Sequence, residues 1–196
     1  MSNLLKEFCE IIKENPENGD VLEFGTGGGQ SAAYISTNIN DNRKVFTFDS
    51  FQGLPETKKG IPKGTGWEKG AYYHDVNNVK TLLKDCPTIF VHKLWSWELT
   101  EPVDYNIDKI IAASIDFDLY EGTLDALNFI NKCSWNSLLL RFDDWGCHPH
   151  QVAAEVDAHE KAAFFDWIKQ TNYNYLINRR LEDISLGMQT IITVNR

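Results

Sequence analysis

The sequence predicts an α/β fold with a mostly parallel sheet and helices on both of its faces. Segments of helical period and short apolar runs alternate along the chain, which is typical of βαβ units. The first predicted strand, near residues 20–24, runs into a glycine-rich turn and then into a helical pattern. Acidic residues follow three later strands, at Asp49, Asp116 and Asp143. Because open α/β sheets bind ligands at the carboxyl ends of their strands, we expect a ligand site at that edge.

Helices and strands alternate in the first half of the chain. Apolar residues recur at helical spacing from Leu4 to Ile12 and predict the first helix. Alternation of side chains from Val45 to Phe48 predicts a strand that ends just before Asp49. The predicted order is a helix near 3–14, a strand near 20–24, a helix near 30–39, a strand near 44–48, a helix near 76–85 and a strand near 88–92.

Two apolar runs and a long amphipathic pattern organise the second half. Residues 110–115 and 137–142 each precede a pair of aspartates and predict strands. A helix near 121–131 separates them, and apolar positions between Val152 and Ile168 predict a long helix afterwards. The predicted elements here are a strand near 109–116, a helix near 121–131, a strand near 137–142, the long helix, and a closing pair of strands at 175–177 and 190–194.

The composition predicts a single domain, residues 1–196, in which residues 1–19 form a short N-terminal helix. A chain of 196 residues, 42% of them hydrophobic, suffices for one substantial core. The net charge of -9 weighs against nucleic acid as a partner, because phosphate-binding surfaces need clustered lysine and arginine. Charged residues interrupt the N-terminal apolar pattern, so neither a signal peptide nor a membrane span is expected. Four cysteines without a C-x-x-C pair favour free thiols and a cytoplasmic location.

The glycine-rich turn has a spacing that distinguishes between nucleotide-binding motifs. It reads E-x-G-x-G-x-G from Glu23 to Gly29. The dinucleotide fingerprint G-x-G-x-x-G would need a glycine or alanine where Gln30 stands, which makes an NAD-dependent reductase the weakest alternative. Asp49, at the end of the second predicted strand, is placed to accept both ribose hydroxyls of a bound nucleoside.

Several segments carry a resemblance to a known family. The E-x-G-x-G-x-G turn resembles the first motif of class I S-adenosylmethionine-dependent methyltransferases. Residues 48–56 (F-D-S-F-Q-G-L-P-E), 67–72 (W-E-K-G-A-Y) and 115–127 resemble signatures of the macrocin O-methyltransferase family, whose members methylate sugar hydroxyls on natural products. The resemblance extends over about residues 21–146.

This resemblance implies a Rossmann-like class I methyltransferase fold, with a mostly parallel seven-stranded sheet and an antiparallel last strand. It implies S-adenosylmethionine as the cofactor, with the methionine end held by the acidic residue and glycines of the turn. A sugar-like small molecule is the implied acceptor. The candidate cofactor-binding residues are Glu23, Gly25, Thr26, Gly27, Gly29, Ser31, Asp49, Ser50 and Phe51.

Two acidic groups are predicted to meet at the ligand-binding edge. Asp116 and its neighbour Asp118 follow one predicted strand, and Asp143 and Asp144 follow another. Carboxylates gathered in this way repel one another, so a hard divalent cation such as Mg²⁺ or Ca²⁺ is the natural compensation. The resemblance implies that Asp116, Asp143 and Asp144 bind magnesium and that Asp116 is also the catalytic base.

The residues alone leave the identity of the base open. Strand geometry places Asp116 and Asp118 on one side of an extended segment, and only the resemblance favours Asp116. His148 and His150 follow the second acidic group and are alternative bases, because histidine titrates near physiological pH.

The loop at residues 51–75 is predicted to be a lid or substrate loop. It holds five glycines and is longer than most connections inside a domain. Trp67 and Tyr72 are the residues expected to close over the cofactor or substrate, because large aromatic side chains exclude water.

The sequence therefore predicts an S-adenosylmethionine-dependent and Mg²⁺-dependent O-methyltransferase that acts on a hydroxyl of a sugar or small molecule. One alternative is a catechol-type O-methyltransferase with the same metal chemistry, which residues 48–56 disfavour. Another is a non-catalytic nucleotide-binding module, which would have no need for convergent carboxylates. We expect a small-molecule partner, no nucleic acid, no membrane, and a homodimer as the candidate assembly.

Overall fold

The computed structural model describes residues 2–40, 42–58, 66–86, 88–146, 159–183 and 187–196. The α-helices within these ranges are α1 (Asn3–Glu14), α2 (Gln30–Asn38), α3 (Val76–Leu83), α4 (Tyr120–Lys132) and α5 (Glu160–Thr171). The strands are β1 (Asp20–Phe24), β2 (Val45–Asp49), β3 (Ile89–Lys93), β4 (Ile110–Ile115), β5 (Ser137–Gly146), β6 (Asn174–Asp183) and β7 (Gly187–Asn195). Two short 3-10 helices, Ser96–Glu98 and Pro102–Tyr105, lie between β3 and β4.

The strands form one seven-stranded sheet in the order β3-β2-β1-β4-β5-β7-β6. The first five in this order pair in parallel, and β7 runs antiparallel between β5 and β6. The predicted α/β fold with a mostly parallel sheet and an antiparallel last strand is therefore confirmed. The chain moves outward from β1 to β3 and then returns to β4, so a topological switch lies between β1 and β4. Open α/β sheets bind ligands in the crevice at such a point.

Apolar side chains cover both faces of the sheet. Phe8 of α1 and Ile35 of α2 pack over one face, while Leu127 of α4 and Phe164 of α5 pack over the other. Strand β4 is buried along its whole length as a result. Parallel strands covered on both faces leave only their ends open to a ligand.

The last three strands are longer than the sequence predicts. Strand β5 continues past the predicted end at residue 142 to Gly146, which pairs with Met188 of β7 beyond an irregularity in the register. Asp143 and Asp144 therefore lie inside a strand. Helix α5 begins at Glu160, and the earlier part of the predicted long helix lies outside the described residues.

The cysteines and the helices both bear on expectations from the sequence. Cys9, Cys86 and Cys133 are free thiols, as predicted. Among the described helices, none has the length and apolar character needed to cross a membrane.

Candidate active site

The turn between β1 and α2 brings backbone directly against the end of β4. Gly25 has a φ of 89°, a left-handed conformation that glycine adopts readily. A Cβ at this position would lie 1.8 Å from the carbonyl oxygen of Asp116, so a larger residue would force the two strands apart. The N–H of Asp116 donates to the carbonyl of Phe24 at 2.8 Å. The glycine turn and the first predicted metal ligand are thus fixed relative to each other.

The carboxylate of Asp49 is held at the end of β2 by two backbone groups. The N–H of Gly27 donates to one oxygen at 2.8 Å and the N–H of Phe51 donates to the other at 2.6 Å. Burial raises the pKa of Asp49, and these N–H groups together with the charge of His74 oppose that shift. Each carboxylate oxygen can accept more than one hydrogen bond, so Asp49 keeps acceptor capacity for a ligand.

A cavity of about 600 Å³ opens at the carboxyl edge of the sheet. Its volume lies in the range of small-molecule and cofactor sites. Of the candidate cofactor-binding residues, Gly25, Gly27, Asp49 and Ser50 line it. The remaining candidates are all described but form no part of its wall: Glu23, Thr26, Gly29, Ser31 and Phe51.

Glu23 lies beneath the turn and is only 1% exposed. Neither of its carboxylate oxygens makes a hydrogen bond of normal geometry to another described residue. Burial raises the pKa of Glu23 to about 8, although the nearby Ser31 hydroxyl and Arg141 act in the opposite direction. The structure therefore places Glu23 under the glycine turn and does not bring it to the cavity.

Three aspartates converge at the ends of β4 and β5. One carboxylate oxygen from each of Asp116, Asp118 and Asp144 lies within 4.8 Å of the others. Asp118 reaches this position with a left-handed backbone, at a φ of 58°. Burial raises the pKa of all three carboxyl groups, neighbouring carboxylates add to the shift, and the pKa of Asp144 reaches about 7. Such a group is stable only when protons or a cation offset the repulsion.

Asp143, a predicted metal ligand, takes a different position from Asp144. Both residues lie in the part of β5 where its register against β7 is irregular, between Phe142 and Gly146. Asp143 lines the cavity, but its Oδ1 accepts hydrogen bonds from the Arg141 guanidinium and, at 2.6 Å, from the Gln189 amide. The oxygens that lie within 4.8 Å of one another are those of Asp116, Asp118 and Asp144, and the predicted ligand Asp143 lies beside them at the cavity wall.

Glu160 supports this group from the start of α5. It is fully buried, and its Oε2 accepts the N–H of Asp144 at 2.9 Å. Its Oε1 has no hydrogen-bond partner in the described part of the chain. Burial and the charge of Asp144 raise the pKa of Glu160, which adds a further carboxyl group to the acidic environment.

The ends of the predicted lid, residues 51–58 and 66–75, are described, and the two aromatic residues expected to close over the ligand, Trp67 and Tyr72, both line the cavity. Trp67 is 5% exposed, packs with Leu54 and Leu119, and meets the His159 ring edge to face at 4.7 Å between centroids. Tyr72 is half exposed, and burial and the charge of Asp118 raise its pKa. The candidate bases His148 and His150 lie outside the described residues.

Comparison with known proteins agrees with this geometry. The chain matches the macrocin-O-methyltransferase (TylF) family over residues 1–170. The chain belongs to the macrocin O-methyltransferase family. It is accordingly an S-adenosylmethionine-dependent methyltransferase, and membership of this family decides against the non-catalytic module and the NAD-dependent reductase. No curated protein sequence is significantly similar to it.

Solved methyltransferase structures share the fold at low sequence identity. The O-methyltransferase NovP is 20% identical with a TM-score of 0.70, and the alignment covers 98% of this chain and 78% of NovP. The calicheamicin methyltransferase CalS11 is 14% identical with a TM-score of 0.68, covering 98% and 77%. TomG from Streptomyces achromogenes, an O-methyltransferase involved in tomaymycin synthesis and solved with S-adenosylmethionine, is 12% identical with a TM-score of 0.64, covering 100% and 81%. These likenesses confirm the predicted class I methyltransferase fold.

The cavity of this macrocin O-methyltransferase family member also contains residues that the sequence analysis does not single out. Trp95 and Trp97 stack with centroids 4.8 Å apart and planes 10° apart, and both line the cavity. Between them Ser96 donates to Asp125 of α4 at 2.7 Å. His74 lines the cavity at the end of the lid. These tryptophans could have been predicted from the sequence, because W-S-W follows just after β3, at the ligand-binding edge of the sheet.

Proposed function

We propose that this enzyme transfers the methyl group of S-adenosylmethionine to a hydroxyl of a sugar or other small molecule with the help of Mg²⁺. The observation that carries the proposal is the convergence of Asp116, Asp118 and Asp144 within 4.8 Å, at the strand end that the glycine turn contacts. Carboxylate oxygens are the ligands that Mg²⁺ and Ca²⁺ prefer. The three side chains therefore fit a hard divalent cation, which would also offset their mutual repulsion.

The chemistry requires a base, because the sulfonium is a good electrophile and a neutral hydroxyl is a poor nucleophile. A cation held by the three aspartates would lower the pKa of an acceptor hydroxyl. Asp116 is the proposed base, since its backbone packs against Gly25 of the glycine turn and it lines the cavity together with that turn, between the cofactor contacts and the other aspartates. Asp118 is the alternative base, because its carboxylate belongs to the same trio.

The proposed cofactor contacts lie on the other side of the cavity. The backbone of Gly25 and Gly27 would hold the methionine end, and Asp49 would accept the ribose hydroxyls. Asp49 is supported in this role by its two backbone hydrogen bonds, which fix its orientation before a ligand arrives. Trp67 closes part of the cavity and excludes water from the reacting groups.

The charge of the cavity supports an uncharged or cationic acceptor. Lys58 is the only lysine or arginine among the described residues that line it. A divalent cation and the sulfonium neutralise only part of the opposing negative charge, so a phosphorylated acceptor or a nucleic acid would be repelled. The carboxylates that line the cavity are Asp49, Glu56, Asp116, Asp118, Glu121, Asp125, Asp143 and Asp144.

Calorimetric titration of the metal-stripped protein tests the proposal. The wild type is titrated with S-adenosylhomocysteine and then with MgCl₂, and the series is repeated with asparagine at each acidic position in turn. We expect every protein to bind the nucleoside. Asp116→Asn and Asp144→Asn should lose Mg²⁺ binding, and failure of the wild type to bind Mg²⁺ would remove the metal from the mechanism.

A matched pair of variants decides the third ligand. The geometry favours Asp118, whereas the family resemblance favours Asp143. If Asp118→Asn loses Mg²⁺ and Asp143→Asn keeps it, the trio seen in the structure is the metal site. The reverse result would show that the Asp143 carboxylate leaves Arg141 and Gln189 to bind the ion.

A homodimer and a cytoplasmic location are the remaining parts of the proposal. Exposed apolar side chains on the edge strand β6, Tyr175 at 42% and Leu176 at 66%, support an interface between two copies. Sedimentation velocity of the wild type and of Leu176→Lys tests it, because a charge at that edge should shift a dimer toward the monomer.

A further inference from the structure

We propose that His74 positions the ribose of the cofactor together with Asp49. The inference rests on S-adenosylmethionine as the bound nucleoside and on the ribose role of Asp49 given above. It adds a residue from the lid to a site otherwise formed by the glycine turn and the end of β2.

The imidazole of His74 lies over the glycine turn. Its Nε2 and Cδ2 are 3.7 Å and 3.9 Å from the point where a Cβ on Gly27 would stand, which is van der Waals distance. Gly27 has no side chain, so this space is open to the histidine ring. The N–H of the same Gly27 donates to Asp49 at 2.8 Å. His74 and Asp49 are therefore brought together on one turn, and both line the cavity.

The chemistry of a ribose requires more than a carboxylate. Each ribose hydroxyl donates one hydrogen bond and also accepts, whereas an ionised Asp49 can only accept. Several described side chains that line the cavity carry donors, and His74, with its ring N–H, is the one that lies against Gly27, whose own N–H holds Asp49. Its charge also acts favourably on the Asp49 carboxylate. A histidine at this position supplies the donor that the aspartate lacks.

The position of His74 is set by a packed helix. It directly precedes Asp75, the N-cap of α3, whose side chain accepts the N–H of Asn77 at 2.9 Å. Val79 and Leu83 of α3 pack in one cluster with Ala32 of α2. A side chain held next to a rigid helix start meets its ligand with little loss of conformational entropy.

The test compares His74→Ala with Tyr73→Ala, a neighbouring and 66% exposed residue that does not line the cavity. Binding is measured calorimetrically with S-adenosylhomocysteine and with 5′-methylthioadenosine, which keeps the ribose but lacks the amino-acid end. We expect His74→Ala to weaken both ligands equally, by roughly 3- to 10-fold, as for a lost hydrogen bond. Tyr73→Ala should match the wild type, and His74→Asn should recover part of the loss because it keeps an N–H donor.

Further readouts separate a ribose contact from a structural role. His74→Ala should raise KM for S-adenosylmethionine, leave kcat near the wild-type value and leave Mg²⁺ binding unchanged. Losses in Asp49→Asn and His74→Ala should sum to more than the loss in the double variant. Unchanged binding in His74→Ala, a loss confined to S-adenosylhomocysteine, or strict additivity would each overturn the inference. Absence of nucleoside binding in the wild type would instead count against the proposed function.

Discussion

The two halves of the cavity satisfy their charged groups in different ways. In the cofactor half, formed by the glycine turn and the end of β2, Asp49 accepts hydrogen bonds from two backbone N–H groups. In the acidic half, formed by the ends of β4 and β5, Asp116, Asp118 and Asp144 face one another, and burial and repulsion raise their pKa values. The cofactor half is organised before a ligand arrives, whereas the acidic half is completed by a proton or a cation. Recognition and chemistry are thereby separated within one cavity.

The largest expected effect is a loss of kcat from a substitution in the acidic half that leaves the cofactor half intact. Asp116→Asn removes the proposed base and one metal ligand, so kcat should fall by about 10²–10⁴-fold, the usual contribution of general acid-base catalysis. S-adenosylhomocysteine should bind the variant about as tightly as the wild type. Steady-state kinetics and calorimetry measure the two effects. A loss of kcat matched by an equal loss of nucleoside affinity would show that the halves are not independent.

The next largest effect is expected where the two halves meet, at the contact between Gly25 and Asp116. Gly25→Ala places a methyl group against the carbonyl of Asp116, so we expect lower stability and loss of S-adenosylhomocysteine binding together. Gly70→Ala is the matched control, because Gly70 also has a positive φ, 84°, but no atom lies within 4 Å of its added Cβ. The control should cost only about 1–2 kcal/mol of left-handed strain. Urea denaturation measures the stability of both variants. Similar losses of stability in Gly25→Ala and Gly70→Ala would contradict the close contact between Gly25 and Asp116.

A third prediction concerns Glu23. Unlike Asp49, this buried carboxyl group makes no hydrogen bond of normal geometry to another described residue. Its pKa is raised from an ordinary value of 4.5 to about 8, so the folded protein holds this proton over a range in which the unfolded chain has released it. The free energy of unfolding should therefore fall as pH rises from about 5 to about 8, by an amount on the order of a few kcal/mol. Glu23→Gln should reduce this slope by the share of one carboxyl group, because the raised pKa values of the three aspartates also contribute to it. The exposed Glu10→Gln should leave the slope unchanged. Parallel pH profiles for Glu23→Gln and the wild type would contradict the burial of an ionisable carboxyl group.

The smallest expected effect tests whether Trp95 and Trp97 belong to the cofactor half. Trp97 is 58% exposed and stacks on Trp95 at the cavity wall. If the pair contacts the nucleoside, Trp97→Ala should cost about 0.5–1.5 kcal/mol of S-adenosylhomocysteine binding, the usual range for an aromatic pair. Mg²⁺ binding should not change. A variant that instead loses metal and keeps the nucleoside would assign the tryptophans to the acidic half.

Features of the cavity that depend on local pattern could be predicted from the sequence. The glycine turn follows from a strand that ends in glycines, and Gly25 has the positive φ that such a turn needs. Asp49 follows from the alternation that ends β2, and it lines the cavity as the nucleoside interpretation requires. Both depend on residues within a few positions of one another, where steric rules act directly.

Features that depend on distant partners could not be predicted. The pairing of β5 with β7 is irregular between Phe142 and Gly146, and within this stretch Arg141 and Gln189 hold the Asp143 carboxylate. Arg141, unexpected in an apolar strand, is explained by its bonds to Asp143 and to Ser114 on the neighbouring strand β4. The approach of His74 to Gly27 likewise arises from tertiary packing.

The contact between Trp67 and His159 connects the predicted lid loop to the three aspartates. Trp67 lies in that loop, and its ring packs edge to face with that of His159. The next residue, Glu160, accepts the backbone N–H of Asp144. If the loop moves as the proposed lid, the segment that holds the backbone of Asp144 should move with it. Product release and loosening of the aspartate trio are expected to occur as one event, so turnover would be gated at the same place where the acceptor is activated.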